Sequence, residues 1–331
     1  MSGTYVVVGL GSMGKRRVRD LVKLKAGRIL GVDQREDRRD EVNLRFGVET
    51  LSDFNQALSQ EPCAVLVSVP PHLHYRFCRA AIDAGAAYFV ECLTSLTLEE
   101  IDDLIEQDQR CPGRAFPSCT ALMNPYCQFA AASVKRLGAV YAVHGSMTTW
   151  LPDQHPWEPA MGIHYEFHRD QGGGLAEPAF ALGWFSYLLG QLPSRVIAHT
   201  AHVSDLPEGF NDLLDMIVEF DGGAVLNFHY ALCEKHDWSV GIFTRFSCAG
   251  GVVFWKQQEC RYYDYAQKKW YECTAETSWT YEDIYLAEMK HFLAAMNGEE
   301  HFRCNLQTER RVLATLLAAE QSSRTGERVA I

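Results

Sequence analysis

The chain has 331 residues, 47% of them hydrophobic and 22% charged, with 42 Asp and Glu against 31 Lys and Arg and a formal charge of −11. This is the composition of a folded chain of about two domains, and it excludes a disordered, collagen-like or low-complexity polymer. The acidic balance argues against nucleic acid or an anionic membrane as partner, because both repel a negative surface.

In chain order, residues 5–8 (Tyr-Val-Val-Val) read as a β-branched strand, followed at once by Gly9-Leu10-Gly11-Ser12-Met13-Gly14. Val18, Leu21, Val22 and Leu24 then recur at helical spacing. Strands follow at 28–32, 64–69 and 87–90, alternating with helices at 35–46, 75–84 and 98–107. Pro70-Pro71 ends the third strand. Strands alternating with helices predict right-handed βαβ units and a parallel sheet. Beyond about residue 120 the pattern changes. Residues 140–150, 195–203, 215–220, 224–232, 240–248 and 252–256 read as strands, with hairpin turns at Asp221-Gly222-Gly223 and Gly250-Gly251. Helices at 281–296 and 306–322 close the chain. The expectation is an α/β chain: a parallel sheet over 1–120, then an α/β domain over 121–331 built on a mixed, mostly antiparallel sheet.

Residues 178–194 are uncharged but broken by Gly183, Gly190 and Pro193, so they predict a buried core helix, not a membrane span. Residues 1–8 lack the pattern of a signal peptide. The eleven cysteines are odd in number and contain no C-x-x-C pair. Cys63, Cys78, Cys92 and Cys233 sit in apolar or periodic stretches, as reduced core thiols of a cytoplasmic protein would.

The glycine pattern at 9–14 lies between a strand and a helix, with Asp33 ending the next strand 19 residues past Gly14. That context predicts a dinucleotide site. Gly9 permits the tight turn, Gly11 lets backbone approach a pyrophosphate, and Gly14 lets helix and strand pack. The N–H groups around Ser12 and Met13 would face the anion. Asp33 would accept hydrogen bonds from the adenosine ribose and repel a 2′-phosphate, which favours NAD. Arg35, two residues on, could stack on adenine or pair with that phosphate, which keeps NADP as the alternative.

On these residues the chain resembles the glucose–fructose oxidoreductase / inositol dehydrogenase / MocA family. The further matches are Pro70-Pro71-His72-Leu73-His74, Phe89-Val90-Glu91-Cys92-Leu93, Gly172-Gly173-Gly174 and Glu288-Met289-Lys290-His291-Phe292. Trp150, Asp153, His155, Trp157 and Tyr165 resemble a subgroup associated with nucleotide sugars and sialic-acid-like compounds. The resemblance implies a Rossmann domain followed by a substrate and oligomerisation domain, with substrate between the two. It also implies an NAD(P)-dependent oxidoreductase moving hydride between nicotinamide and a hydroxyl or keto carbon of a sugar or nucleotide sugar. A homodimer or homotetramer is implied as well. Pro70, His74, Glu91 and Cys92 would border the cofactor, with Glu91 near the nicotinamide ribose.

The departures from the family concern proton handling. Cys92 stands where the family has a catalytic lysine, and Leu93 where it has proline. Counting from Gly174, Ala181 falls at the family's catalytic histidine and Trp184 at its aspartate. A thiol lacks the positive charge that would stabilise a developing alkoxide, and alanine carries no proton. Another residue must take the work, or the reaction needs no strong protein acid, as in the biliverdin reductases that resemble this family, or the fold is retained for binding or regulation. Six of the twelve histidines lie between 144 and 202. His155, His164 and His168 precede the triple glycine and are candidate acids, as is Tyr165. A metal would need Glu177 beside His164 and His168, and none is expected. Trp150 and Trp157 could stack on a sugar or nucleotide ring.

Overall fold

The computed structural model describes residues 3–118, 120–154, 164–235, 241–256, 258–274 and 280–331. The chain divides into two compact units, Met1–Thr120 with Trp279–Arg310, and Ala121–Ser278 with Arg311–Ile331.

The first unit alternates strand and helix. Its elements are β1 (Gly3–Val8), α1 (Ser12–Lys23), β2 (Gly27–Val32), α2 (Glu36–Phe46), β3 (Glu49–Leu51), α3 (Phe54–Leu58), β4 (Ala64–Val67), α4 (His74–Asp83), β5 (Ala87–Val90), α5 (Leu98–Arg110) and β6 (Ala115–Pro117). All six strands are parallel, in the order β3-β2-β1-β4-β5-β6. Successive side chains of one strand enter opposite cores. Tyr5, Val7, Leu66 and Phe89 join one apolar cluster, while Val6, Val8, Val65, Val67, Tyr88 and Val90 join the other. Both faces are dry, so the strands read as unbroken hydrophobic runs instead of alternating ones. Thr97 caps α5 by accepting from the Glu100 N–H at 3.2 Å, and Glu99 and Glu100 complement the helix dipole.

The second unit holds α6 (Pro125–Leu137), β7 (Val140–Thr148), α7 (Leu151–Gln154), α8 (Ala176–Leu189), β8 (Pro193–Ala201), β9 (Leu213–Phe220), β10 (Val225–Ala231), β11 (Ile242–Cys248), β12 (Gly251–Lys256), β13 (Glu259–Asp264) and β14 (Lys269–Glu272). The chain then returns to the first unit as α9 (Tyr281–Met296), whose Met289 and Phe292 fill one of the two cores of the parallel sheet. The last helix, α10 (Leu306–Thr325), contains the boundary between the units, and β15 (Val329–Ala330) follows it. The nine-stranded sheet runs β14-β13-β12-β11-β7-β10-β9-β8-β15. Every pair is antiparallel except β7 with β10, so the sheet is mixed and mostly antiparallel. The uncharged stretch near 178–194 is the buried helix α8, ended by Gly190 at φ 62°.

Several elements were not legible. β3 and β6 are three residues long. β14 (Lys-Trp-Tyr-Glu) exposes three of its four side chains and carries too little alternation to be seen. α6 begins with Asn124 accepting from the Tyr126 N–H at 2.8 Å, with Pro125 at its first position, a start signal that was present but not used. The cysteine reading needs correction. Cys78 is buried, but Cys63, Cys92 and Cys233 are only half-buried. Among the described residues no helix is long and apolar enough to cross a membrane.

Candidate cofactor and proton-handling sites

β1 lies between β2 and β4, where the strand order reverses, and the glycine loop leaves its carboxyl end. Ligands bind at this point of an open α/β sheet because the chain departs in opposite directions on either side. Gly9 turns with φ 85° and donates its N–H to Val32 O at 2.8 Å. At Gly14 a Cβ would sit 1.7 Å from Gly9 O, so only glycine lets α1 seat against the loop. Gly11, the N-cap of α1, leaves space instead: its Cβ would meet nothing nearer than the Arg38 guanidinium at 3.6 Å. No side chain caps α1 and no acidic residue lies in its first turn. The N–H groups around Ser12, Met13 and Gly14 therefore form an anion cradle reinforced by the helix dipole. The residues present fit the diphosphate of a dinucleotide.

Asp33 braces this loop. One carboxylate oxygen accepts the Leu10 N–H at 2.7 Å and the other the Arg35 N–H at 2.9 Å. A carboxylate has about four acceptor positions, so capacity for ribose hydroxyls remains. Arg35 differs from expectation, because its guanidinium forks onto Asp37 at 3.0 and 2.6 Å on the exposed side of α2. Arg38, not singled out in the sequence, is the guanidinium beside both Gly11 and Asp33, 3.6 Å from the latter. One helical turn separates it from Arg35, and only the structure says which faces the loop. Arg38→Ala is expected to weaken NADP binding by roughly tenfold, the scale of one charge-assisted hydrogen bond, with less effect on NAD. Fluorescence titration with NADPH and NADH checks this.

The expectations after β4 and β5, at the same carboxyl edge of the sheet, change more. Pro70 precedes a tight helical turn, Pro71–Leu73, and His72 on it is exposed. His74 is 1% exposed, with Nδ1 2.5 Å from Leu93 O and Nε2 2.6 Å from Val69 O. Both ring nitrogens are occupied by backbone carbonyls, so His74 ties the 69–73 turn to the 92–95 segment and offers nothing to a ligand. Burial pulls its pKa down, opposed by the two carbonyls. Cys92 is half-buried, beside the fully buried Leu93, and the bond between them is cis.

Glu91 was expected at the nicotinamide ribose. Both its oxygens are instead held by Arg17 of α1, Nε at 2.7 Å and Nη2 at 2.9 Å. Arg17 is fully buried, also meets Glu288 of α9 at 2.9 Å, and lies over the Phe89 ring at 4.7 Å. Ser118 and Thr120 hydroxyls complete Glu288 at 2.8 and 2.7 Å. Burial pushes Glu288 up, opposed by Arg17. Arg17 reads in the sequence as one of several surface cations of an amphipathic helix. Its burial is a consequence of α9 packing there, from more than 260 residues later.

Glu309, at the start of α10, lies buried behind the same edge, where the Thr94 hydroxyl donates to it at 3.3 Å. Burial pushes its pKa up to about 7, opposed by Thr94. A carboxyl raised in the folded state binds a proton that the unfolded state has already lost. Its contribution to stability is therefore full below about 4.5 and lost as pH rises to about 7. Glu309→Gln is expected to be the more stable protein at pH 8, by up to about 3 kcal/mol, with the advantage vanishing near pH 4. Thermal melts of both proteins across that range check the sign.

In the second unit the triple glycine folds back on the turn before it. A Cβ at Gly173 would lie 2.3 Å from Glu166 O and 2.9 Å from His168 O. This close approach places Glu166 near Glu177, in the first turn of α8. Glu166 is 6% exposed and accepts the Tyr165 hydroxyl at 3.2 Å on Oε1. Its Oε2 has no hydrogen-bond partner among the described residues. Glu177 accepts the buried Tyr230 hydroxyl at 3.1 Å. Burial and the charge of Glu177 push Glu166 up to about 8, and burial raises Glu177 too. The Tyr165 and His164 rings lie 4.7 Å apart, tilted by 37°. His164 accepts the Glu166 N–H at 3.4 Å, the work of a capping side chain. His168 ends that turn, half-buried. Ala181 and Trp184 are buried within α8. Trp150 carries the Lys235 ammonium 4.3 Å over its ring. His155 and Trp157 lie outside the described residues. Glu166 was missed because a lone Glu in His-Tyr-Glu-Phe-His carries no motif. Among the described residues no three side chains form a metal cluster.

The first unit thus has a Rossmann-type parallel sheet. Residues 4–112 match the profile of the GFO_IDH_MocA oxidoreductase family, NAD-binding Rossmann fold. Comparison with curated proteins finds no match. Solved structures share the fold over the whole chain. A levoglucosan dehydrogenase in complex with NADH and levoglucosan has a TM-score of 0.87 at 14% identity, covering 100% of both chains. The myo-inositol 2-dehydrogenase of Lactobacillus plantarum has 0.83 at 14%, again covering 100% of both. The UDP-N-acetylglucosamine 3-dehydrogenase of Acidithiobacillus ferrooxidans has 0.78 at 17%, covering 97% of this chain and 98% of its own.

Proposed function

We propose that the protein is an NAD(P)-dependent oxidoreductase acting on a hydroxyl or keto carbon of a sugar or nucleotide sugar. The observation that carries this reading is the preformed cradle at Gly9–Gly14 braced by Asp33, within a segment matching an NAD-binding oxidoreductase family. The named dehydrogenases sharing the fold support the substrate class. When bound, the nicotinamide supplies or accepts the hydride. The protein's part is to hold the diphosphate on the N–H groups of 11–14, to bond ribose through Asp33, and to manage the proton at the substrate oxygen. The candidates for that last task are Tyr165, His164 and His168, with Cys92 bordering the cofactor. Ala181 favours a second reading, a binding or regulatory protein of the same fold, because this buried alanine can carry no proton.

Purified protein titrated with NADH, then assayed with levoglucosan, myo-inositol and UDP-N-acetylglucosamine, separates the two. Saturable binding with turnover supports the enzyme, and binding without turnover on a wider sugar panel supports the regulator. No binding of either coenzyme sinks both.

The chain is also proposed to form a homodimer or homotetramer in the cytoplasm. Ile197, Ile217 and Val225 stand exposed on the adjacent strands β8, β9 and β10, an apolar patch suited to a second copy. Light scattering is expected to give at least twice the mass of one chain, and Ile217→Asp to lower it to one. The odd number of cysteines without a C-x-x-C pair supports a reducing compartment.

A further inference from the structure

Two cysteines face each other at one edge of the nine-stranded sheet. β14 is the last strand there and is bonded to β13 on one side only. The register pairs Arg261 with Glu272, Tyr262 with Tyr271, Tyr263 with Trp270 and Asp264 with Lys269. One step further it sets Cys260 opposite Cys273, and the Cys273 N–H donates to Cys260 O at 2.8 Å. Directly opposed residues of an antiparallel pair send their side chains to the same face. The next pair along that face, Tyr262 and Tyr271, stacks its rings at 4.9 Å and 14°. Cys260 is 4% exposed, and Cys273 is half-buried.

We infer that Cys260 and Cys273 form a dithiol modification site, closed to a disulfide by a small-molecule disulfide such as oxidised glutathione. The inference is independent of the oxidoreductase reading. A hydrogen-bonded antiparallel pair holds its Cα atoms about 5.5 Å apart, inside the span of about 4.4–6.8 Å that a disulfide bridges. The opposed Cβ atoms, about 4.5–5.5 Å apart in such pairs, must approach to about 4.5 Å or less. An edge strand with one partner can give that much. β14 exposes three of its four side chains, so few contacts resist its opening, and the bond would tie its end to the buried part of β13.

The chemistry is two thiol–disulfide exchanges. Cys273, the more accessible thiol, loses its proton to water and attacks one sulfur of the oxidant. A bond from Cys273 to glutathione forms, the sulfur–sulfur bond of the oxidant breaks, and one glutathione leaves and takes up a proton. Cys260 then loses its proton and attacks the Cys273 sulfur, which displaces the second glutathione. The protein gives up two hydrogens and two electrons, and the oxidant becomes two reduced glutathiones. Burial and the charge of Cys273 push the Cys260 thiol up to about 12, so the second attack is the slow one and quickens as pH rises. In a reducing compartment the pair stays open, and it closes when the thiol poise turns oxidising.

The folded full-length protein is incubated with oxidised glutathione, its remaining thiols are alkylated, and the digest is read by mass spectrometry. The expected product is a pair of peptides joined through Cys260 and Cys273, lighter by two hydrogens and parted again by excess reduced glutathione. A glutathione adduct on Cys273 should appear first and convert faster at higher pH. In Cys260→Ser that adduct should persist, because nothing displaces it, and in Cys273→Ser no link should form at Cys260. Hydrogen exchange should be at least about tenfold slower for the β14 amides in the closed protein than in the open one. The proposal is overturned if neither cysteine reacts, if the adduct on Cys273 never converts, if either cysteine links to a different one, or if the link forms only in protein unfolded by urea. Equal exchange in the two forms would overturn the holding of β14 by the bond.

Discussion

Arg17→Met is expected to destabilise the protein by about 3–5 kcal/mol, the scale seen when one partner of a buried ion pair is removed. The guanidinium satisfies Glu91 through two hydrogen bonds and Glu288 through a third contact, all with Arg17 at 0% exposure. Methionine fills similar volume but leaves two carboxylates facing each other with no counter-charge. Most of the loss should therefore be carboxylate repulsion and desolvation, not lost packing. Combining Arg17→Met with Glu91→Gln and Glu288→Gln removes the charges and should recover more than half of it. Urea denaturation of the wild type and both variants reads both effects. If the single variant proves as stable as wild type, the network is not holding α1, β5 and α9 together.

Gly14→Ala and Gly11→Ala should both cost at least about 100-fold in NADH affinity, or about 2.8 kcal/mol, for different reasons. At position 14 the new Cβ falls 1.7 Å from Gly9 O, so the loop itself must move and the melting temperature should drop. At position 11 the Cβ makes only ordinary contact, nearest the Arg38 guanidinium at 3.6 Å, so the folded protein should melt as wild type does. It occupies only the space a diphosphate would take. NADH fluorescence with thermal melts separates the two. Wild-type affinity in Gly11→Ala would mean that the diphosphate lies elsewhere.

The parallel sheet was legible because strands buried on both faces concentrate Val, Ile and Leu in short runs, and because glycines forced by contact, as at 14, leave a fixed spacing. The functional side chains were legible in proportion to how local their partners are. Asp33, which accepts the Leu10 N–H, stands out in the sequence because it ends the strand after the glycine loop. His74 and Glu91 could not be given their protein partners, since Leu93 O and Arg17 lie elsewhere in the chain. Arg35 and Arg38 differ by less than one helical turn, too little for spacing to decide.

By itself the amino-acid sequence determined the two sheet types, the βαβ order, the glycine loop with its acidic partner, and the absence of lysine and histidine at positions 92 and 181. These are properties of neighbouring residues, governed by backbone sterics and the period of apolar side chains. Tertiary structure alone decided that Arg17 is buried between Glu91 and Glu288, that Glu309 is held at Thr94, and that Glu166 and Glu177 share one charge-starved place. In each case the energy depends on desolvation and on a partner brought in from elsewhere in the chain, and neither leaves a periodic mark in the sequence.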